Sequence, residues 1–537
     1  MFKISQTFRL KILQTMKLLK QLLLFLLLCG SAQAQKMSND FNLSWGDISL
    51  VHSKESQLIS LFQKEGEYYV IRKEVIRGPG GWHYLLEKYD QGLKLIEVKN
   101  ISDDLDIENY GSPQFVKLGD NFFIISSKHD SPTNTLNYYS QLLDVEMMTV
   151  SKPRNFITFE NVKRRRDINI RFTVSANDQY ISTHYTTYDR KTKVRKFYCY
   201  IFDESLELMW QQEDLDISGK TIRKFFLAND GVLSLAVSKA GKGKWFSYEP
   251  GEPNKIEFLL ISEDGVDPIF YEFKNYTPSG VSITKTADQN YILSGYYYEG
   301  SSLTLEGVYS VTIDPKTGDE INEVHKEFSN ELLKDGESQK DQERFDKASA
   351  KGHEQGATKM DVIRVLKHEN GSISLIGEKN WVEVTTTTDA NGRTTTKYTY
   401  YRTDLIITTI KDGEIISNVK VNKFAKSRYK FTGFRAISVN NKPYIFFNDH
   451  RENIISIDPE KGIKRNPTKK KNKALVVVKV DGDSKSREGI IDYATKEYES
   501  FTPYKLGYNL RVMDNNEIIA WTYKGKNQYG LFRISHK

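Results

Sequence analysis

Short polar turns followed by apolar runs recur along the chain, and one such unit returns eight times. Its clearest copy is Asn440-Asn441-Lys442-Pro443-Tyr444-Ile445-Phe446-Phe447. Glu65-Gly66 before Tyr68 to Ile71, Asn229-Asp230-Gly231 before Val232 to Leu235, and Glu369-Asn370-Gly371 before Ile373 to Ile376 read the same way. Asn, Asp and Gly accept positive φ at low cost, as tight hairpins require. The aromatic and β-branched residues after each turn suit a pleated strand. The turns centre near residues 66, 120, 178, 230, 289, 370, 441 and 515, so the repeat is 52 to 81 residues long. Most repeats carry a second turn, as at Asp90-Gln91-Gly92, Asp264-Gly265, Asp412-Gly413 and Asp481-Gly482. Two hairpins per repeat make four strands, the content of one propeller blade.

This pattern predicts an all-β fold, a β-propeller of four-stranded blades, with eight blades expected and seven the alternative. The last repeat is short and ends at Leu531-Phe532-Arg533-Ile534. An extra strand, Leu43 to Val51, precedes the first repeat. Pairing of these N- and C-terminal strands would complete the last blade and leave no open edge between last and first.

Two segments depart from the repeat. Residues 328–358 are charged and poor in β-branched residues, which favours a helical or mobile excursion. Residues 381–401 form a long hairpin, with Asn391-Gly392 at its tip between threonine-rich runs, and are expected to project beyond their blade. The opening 34 residues read as a signal peptide. Lys17 and Lys20 precede the apolar stretch Leu22 to Leu28, and Ala32-Gln33-Ala34 follows as a cleavage site. Cys29 lacks the small preceding residue that lipidation requires, since Leu28 stands there. Residues 35–537 then form a single propeller domain.

Removing the signal changes the charge. Five of the 77 basic residues and none of the 70 acidic ones lie in residues 1–34, which leaves 72 against 70, a net +2. Bulk charge therefore gives no reason to expect nucleic acid as a partner. No later stretch is long and apolar enough for a transmembrane segment, and Cys199 is the only cysteine after residue 34, so no intramolecular disulfide is expected.

Enzyme templates fail on spacing. His353-Glu354 begins like a zinc protease motif, but Ala357 stands where the second histidine belongs. Gly241-Lys242-Gly243-Lys244 lacks phosphate-loop spacing, and Asp481-Gly482-Asp483 lacks the ligand periodicity of a calcium loop. No metal or cofactor is expected. The candidate ligand-binding residues are Trp82 and His83 beside a glycine-rich loop, Tyr298 in an aromatic run, and Asn448, Asp449 and His450 at a strand end. For the last three, a hairpin cap is the competing reading. The 31 Tyr and 28 Phe are assigned mostly to packing between blades, with part of each cluster, such as Tyr296-Tyr297-Tyr298, expected to face outward.

The runs Ile376-Gly377-Glu378-Lys379-Asn380-Trp381, Asp404-Leu405-Ile406-Ile407, Asp412-Gly413-Glu414-Ile415, Lys423-Phe424-Ala425-Lys426 and Tyr444 to Asp449 follow in an order that resembles uncharacterised exported β-propeller-like proteins of Gram-negative bacteria. The resemblance covers residues 328–455 best. It implies a propeller fold and an envelope location, periplasm or outer envelope, and no catalytic residues. The expected function is that of an exported, non-catalytic binding or scaffold protein, monomeric, with an envelope protein or glycan as partner. The alternative is a carbohydrate-active hydrolase or lyase with carboxylates from several blades at the central channel. A channel mouth lined by carboxylates and histidine would favour the enzyme; an apolar or lysine-lined one would favour binding.

Overall fold

The computed structural model describes residues 38–537 apart from 51–55, 76–81, 106–111, 163–167, 169, 240–253, 274–275, 299–303, 352–355, 358–359, 428–432, 455–456, 459, 466–471, 494–500, 503–509, 514 and 525–527. The proposed signal peptide, the glycine-rich loop before Trp82, Gly241 to Lys244 and His353-Glu354 lie outside the described residues.

Eight antiparallel sheets follow one another along the chain. Their first strands are Gln57–Lys64, Gln114–Leu118, Arg171–Val174, Lys220–Leu227, Ser282–Lys285, Met360–Lys367, Arg435–Val439 and Leu510–Val512. These define blades 1 to 8. The first strands of blades 1 and 2, 3 and 4, 4 and 5, and 6 and 7 approach one another. Fourth strands instead carry apolar residues in solvent, among them Ile96, Met209, Phe270, Ile321 and Ile416. The first strands therefore ring the axis and the fourth strands form the rim, as in a propeller.

The buried apolar residues confirm the ring. They fall into eight clusters, each shared by two neighbouring blades. One of them joins Trp521 and Leu531 of blade 8 to Val70 and Leu93 of blade 1. A sheet buried on both faces needs apolar residues at successive positions rather than alternate ones, and this changes the reading of the aromatic runs. Tyr296 and Tyr297 point to opposite faces and both are buried, while Tyr298 is half-buried. The outward-facing tyrosine expected of that run is therefore not found at either of the first two positions. The Tyr296 hydroxyl crosses into blade 6 and donates to the Ile406 carbonyl at 3.2 Å. Gly377 makes room for it, since a Cβ there would lie 2.1 Å from that hydroxyl.

Closure follows the expected route. Phe41–Leu50 pairs antiparallel with Gln528–His536, Phe41 opposite His536 and Trp45 opposite Phe532. It forms the fourth strand of blade 8 and touches both neighbours. The Phe41 ring packs edge-on against Tyr444 and Phe446 of blade 7, at 5.1 and 5.3 Å. The Asp47 amide donates to the Leu93 carbonyl of blade 1 at 3.2 Å.

The recurring polar turns lie at one end of the ring and do more than reverse the chain. Glu65-Gly66 and Asn440-Asn441 hold positive φ at both positions, which matches the right-handed twist of the flanking strands. The turns also bond between blades. The Gly119 amide donates to the Asp178 carbonyl at 2.7 Å. The Asn177 amide donates to Asn229 Oδ1 at 3.2 Å, and that of Asn370 to Asn441 Oδ1 at 2.9 Å.

Between blades 5 and 6 the chain forms helices α1 (Asn330–Lys334) and α2 (Gln339–Ser349), capped by Ser329 and Ser338. Blades 6 and 7 tether this segment. Lys420 Nζ donates to Glu337 and to the Leu333 carbonyl at 2.7 and 2.9 Å, and Lys485 pairs with Asp335. Blade 6 also carries the hairpin of Ile373–Thr388 and Thr394–Lys411, exposed from Glu383 to Lys397.

The interfaces bury one titratable group with a measurable consequence. His184 of blade 3 stacks on Phe225 of blade 4 at 4.3 Å. Burial, aided by the charge of Arg171, lowers its pKa from 6.5 to about 4. The unfolded chain takes up this proton near pH 6.5 and the folded chain near pH 4. The contribution to stability is thus intact above pH 6.5 and is lost as pH falls through that window. Between pH 7 and pH 4 the native chain is expected to lose about 3 kcal/mol more than His184→Gln does. Denaturant midpoints at the two pH values check this; equal losses in both chains would contradict it.

Candidate functional site at the propeller axis

The six residues singled out in the sequence lie on three blades that do not adjoin. Trp82 and His83 begin the third strand of blade 1. Trp82 is 41 % exposed, and the Lys73 ammonium sits 4.2 Å from its ring centroid. Asn100 Nδ2 lies 2.9 Å from His83 Nδ1. Tyr298 ends the second strand of blade 5; burial raises its pKa and the charge of Arg223 in blade 4 opposes this. Asn448, Asp449 and His450 end the second strand of blade 7. Asp449 is wholly buried and pairs with Arg487. Its Oδ1 also accepts from the His450 amide at 2.8 Å and from Asn453 Nδ2 at 2.9 Å. Burial pushes the Asp449 carboxyl up, with Arg487 pulling it back. These bonds knit the strand end to the turn that follows and leave the carboxylate facing protein on every side.

The axis is where the chemistry concentrates. The eight first strands together contain eleven basic residues and one acidic residue, Asp361. Asp361 Oδ2 accepts from Asn380 Nδ2 at 2.9 Å. Near the turns, the cations are matched by acids. Lys64 pairs with Glu146 at 2.6 Å, Lys117 with Asp178 at 3.6 Å, and Lys285 with Asp230. Farther along the strands the matching is partial, for Lys220 pairs with Glu257 at 2.6 Å. Arg364 and Lys224 are half-buried and make no ion pair among the described residues. Burial lowers the pKa of both.

The first strands of three consecutive blades each carry an arginine, Arg364, Arg435 and Arg511. Arg435 of blade 7 donates Nε to the Leu510 carbonyl on the first strand of blade 8 at 3.1 Å. Its pKa falls to about 10, first through burial and then through the charges of Arg511 in blade 8 and Arg364 in blade 6. Like charges near a partly buried guanidinium disfavour its ionised form. Lys367 of blade 6 lies 5.6 Å from the ring centroid of Phe226 in blade 4, two blades away. A cavity of about 190 Å³ opens between blades 8, 1 and 2 beside the channel, lined by Leu61, Phe115, Val512 and Met513 with Ser60 and Lys117.

Other chemistry is sparse. Cys199 is buried and its thiol is pushed up to about 12 by burial, which makes it a poor nucleophile. Among the described residues, no group of His, Cys, Asp and Glu is placed to hold a metal ion, and no helix is long and apolar enough to cross a membrane.

The chain is similar to the β-propeller domain of the Trilobed protease from Pyrococcus furiosus, at 10 % identity over 83 % of this chain and 98 % of that one, with a TM-score of 0.34. It is similar to the Dos1 propeller, at 8 % identity over 91 % and 94 % of the two chains, TM-score 0.37. It is also similar to the polysaccharide lyase Uly1, at 11 % identity over 89 % and 90 %, TM-score 0.32. No family model and no curated protein matches the chain.

The axial cations escaped the sequence reading because overall charge averages them away. Their signal is positional. Lys224, Arg364 and Arg171 each stand three residues before the end of a first strand whose last residue pairs with Leu233, Ile373 or Ile181. Superposing the repeats on their turns would have brought these positions into register.

Proposed function

We propose that the protein is an exported, non-catalytic binding or scaffold protein of the cell envelope, which holds its ligand at the propeller axis. The observation that carries this reading is the make-up of the first strands, with eleven basic residues and a single carboxylate. Glycoside hydrolysis needs two carboxyl groups facing one bond, and the described axial strands do not supply a pair. A rigid ring of blades with a lined channel suits ligand retention. The export part of the proposal rests on the sequence, where Ala32-Gln33-Ala34 follows the apolar stretch Leu22 to Leu28.

The test is incubation of the chain from Gln35 with a panel of neutral and acidic envelope glycans, read both for retention and for new reducing or unsaturated ends. Retention of a member of the panel with no new ends is the expected result. Turnover of any member would establish the hydrolase or lyase alternative in its place.

A further inference from the structure

We infer that the cavity between the helices α1 and α2 and one face of blade 6 is a second ligand site, separate from the axis, and that it takes a free α-amino acid with an apolar side chain.

The floor of this cavity is the sheet of blade 6, with side chains from all four strands. Met360 stands opposite Lys379, and Ile406 opposite Lys420, so each pair shares a face. Asp404 precedes Ile406 by two residues and joins the same face. A register shift between Glu378 and Asn380 sets Lys379 against Thr403 and Asp404 of the neighbouring strand. The roof is the helical segment, with Leu333 on α1 and Phe345 on α2. These residues line a space of about 250 Å³. Sites for drug-sized ligands run to roughly 300–1,000 Å³, so a smaller molecule suits this one.

Two opposite charges in the cavity are left with little to bind. Asp404 Oδ1 accepts from the Lys423 amide at 3.3 Å, whereas the nearest cation to Oδ2 is the Lys420 ammonium, at 4.0 Å and beyond hydrogen-bond range. That ammonium is engaged by Glu337 at 2.7 Å and by the Leu333 carbonyl at 2.9 Å. Lys379 makes no hydrogen bond or ion pair among the described residues. The other charges of the lining have partners, Lys334 in Asp346 at 2.9 Å and Asp341 in Arg344 at 3.4 Å. Glu378, next to Lys379 in sequence, shows what saturation looks like, with Lys423 at 2.6 Å and Arg402 at 2.5 Å. Burial pushes the Asp404 carboxyl up, with the charge of Lys420 pulling it back. A carboxylate and an ammonium on neighbouring strands complement the ammonium and carboxylate that an α-amino acid carries on one carbon.

Around this pair the lining is apolar. Ala357, Met360 and Ile406 are buried, and Leu333 and Phe345 are half-buried. The Phe345 ring meets no other aromatic ring among the described residues. Such a wall suits an apolar side chain. It offers few partners to the hydroxyls of a sugar, which is why the zwitterion is the better fit.

The experiment is isothermal titration of the chain from Gln35 with L-leucine and L-phenylalanine, each beside its decarboxylated amine and its deaminated acid, and with glycine and glucose. At least one of the two amino acids should bind. Glycine and the singly charged analogues of that amino acid should bind about tenfold more weakly or worse, since each lacks a charge-assisted bond or the apolar contact. Asp404→Asn and Lys379→Met should each weaken binding by a similar factor. Lys379 holds nothing else in place, so its variant tests the site without disturbing the fold. Arg364→Gln at the axis should leave binding unchanged, which separates this site from the axial one. An amine or acid analogue that binds as well as the amino acid, or glucose that binds in place of both, would overturn the ligand assignment. Binding of neither amino acid, or binding that survives both Asp404→Asn and Lys379→Met, would overturn the site itself.

Discussion

A chain that lacks residues 38–50 is expected to lose cooperative unfolding and to self-associate. Deletion removes the fourth strand of blade 8 and bares the edge of Gln528–His536, whose Tyr529, Leu531, Phe532 and Ile534 are buried in the intact ring. An open apolar edge is a template for pairing with another chain. It also removes the anchors on both neighbours: Phe41 against Tyr444 and Phe446, and Asp47 on Leu93. The milder change Phe41→Ala should cost about 3–5 kcal/mol, as for other buried phenylalanines. Guanidinium unfolding and size-exclusion profiles at several concentrations would read both. A deletion chain that stays monomeric and unfolds in one sharp step would show that closure contributes little.

The second large effect is expected at Glu378. This carboxylate is wholly buried on the second strand of blade 6, 2.6 Å from Lys423 and 2.5 Å from Arg402. The three groups tie the second and third strands to the segment after the fourth, below the point where the long hairpin leaves the blade. Glu378→Ala strands the Lys423 ammonium, which is as deeply buried, and should cost about 3–5 kcal/mol. Glu378→Leu with Lys423→Met should recover most of that loss, because a buried pair gains little over well-packed apolar residues once desolvation is counted. Arg402 keeps access to solvent in either case. Denaturant midpoints of the single and double variants decide it. A double variant as unstable as the single one would mean that packing rather than charge governs the site.

The architecture was legible because hairpins leave a local signature. Pairs such as Asn440-Asn441 and Asp412-Gly413 occupy positive φ, and strand pairs join neighbours in sequence, so turns alone give blade content and number. Closure was legible from the missing strand of the last repeat. What turns cannot encode is which side of a strand faces what. Tyr296 and Tyr297 are both buried because each blade has neighbours on two faces, and a reading that assumes one wet face sends one of them outward. The candidate site was less legible still. Trp82, Tyr298 and Asp449 stand singly at or near strand ends, and blades 1, 5 and 7 keep them apart. Arg364, Arg435 and Arg511 are 71 and 76 residues apart in sequence, and only the ring places them on the first strands of consecutive blades.

Eight first strands surround one axis and present cations to it. Anomalous diffraction from a crystal soaked in sodium iodide tests it most directly, since iodide marks accessible positive charge. A strong iodide peak is expected between the first strands of blades 6, 7 and 8, in contact with Arg364 and Arg435. Iodide found only on the outer rim, with those arginines turned into blade interfaces or the sheets stacked face to face as a sandwich, would contradict it.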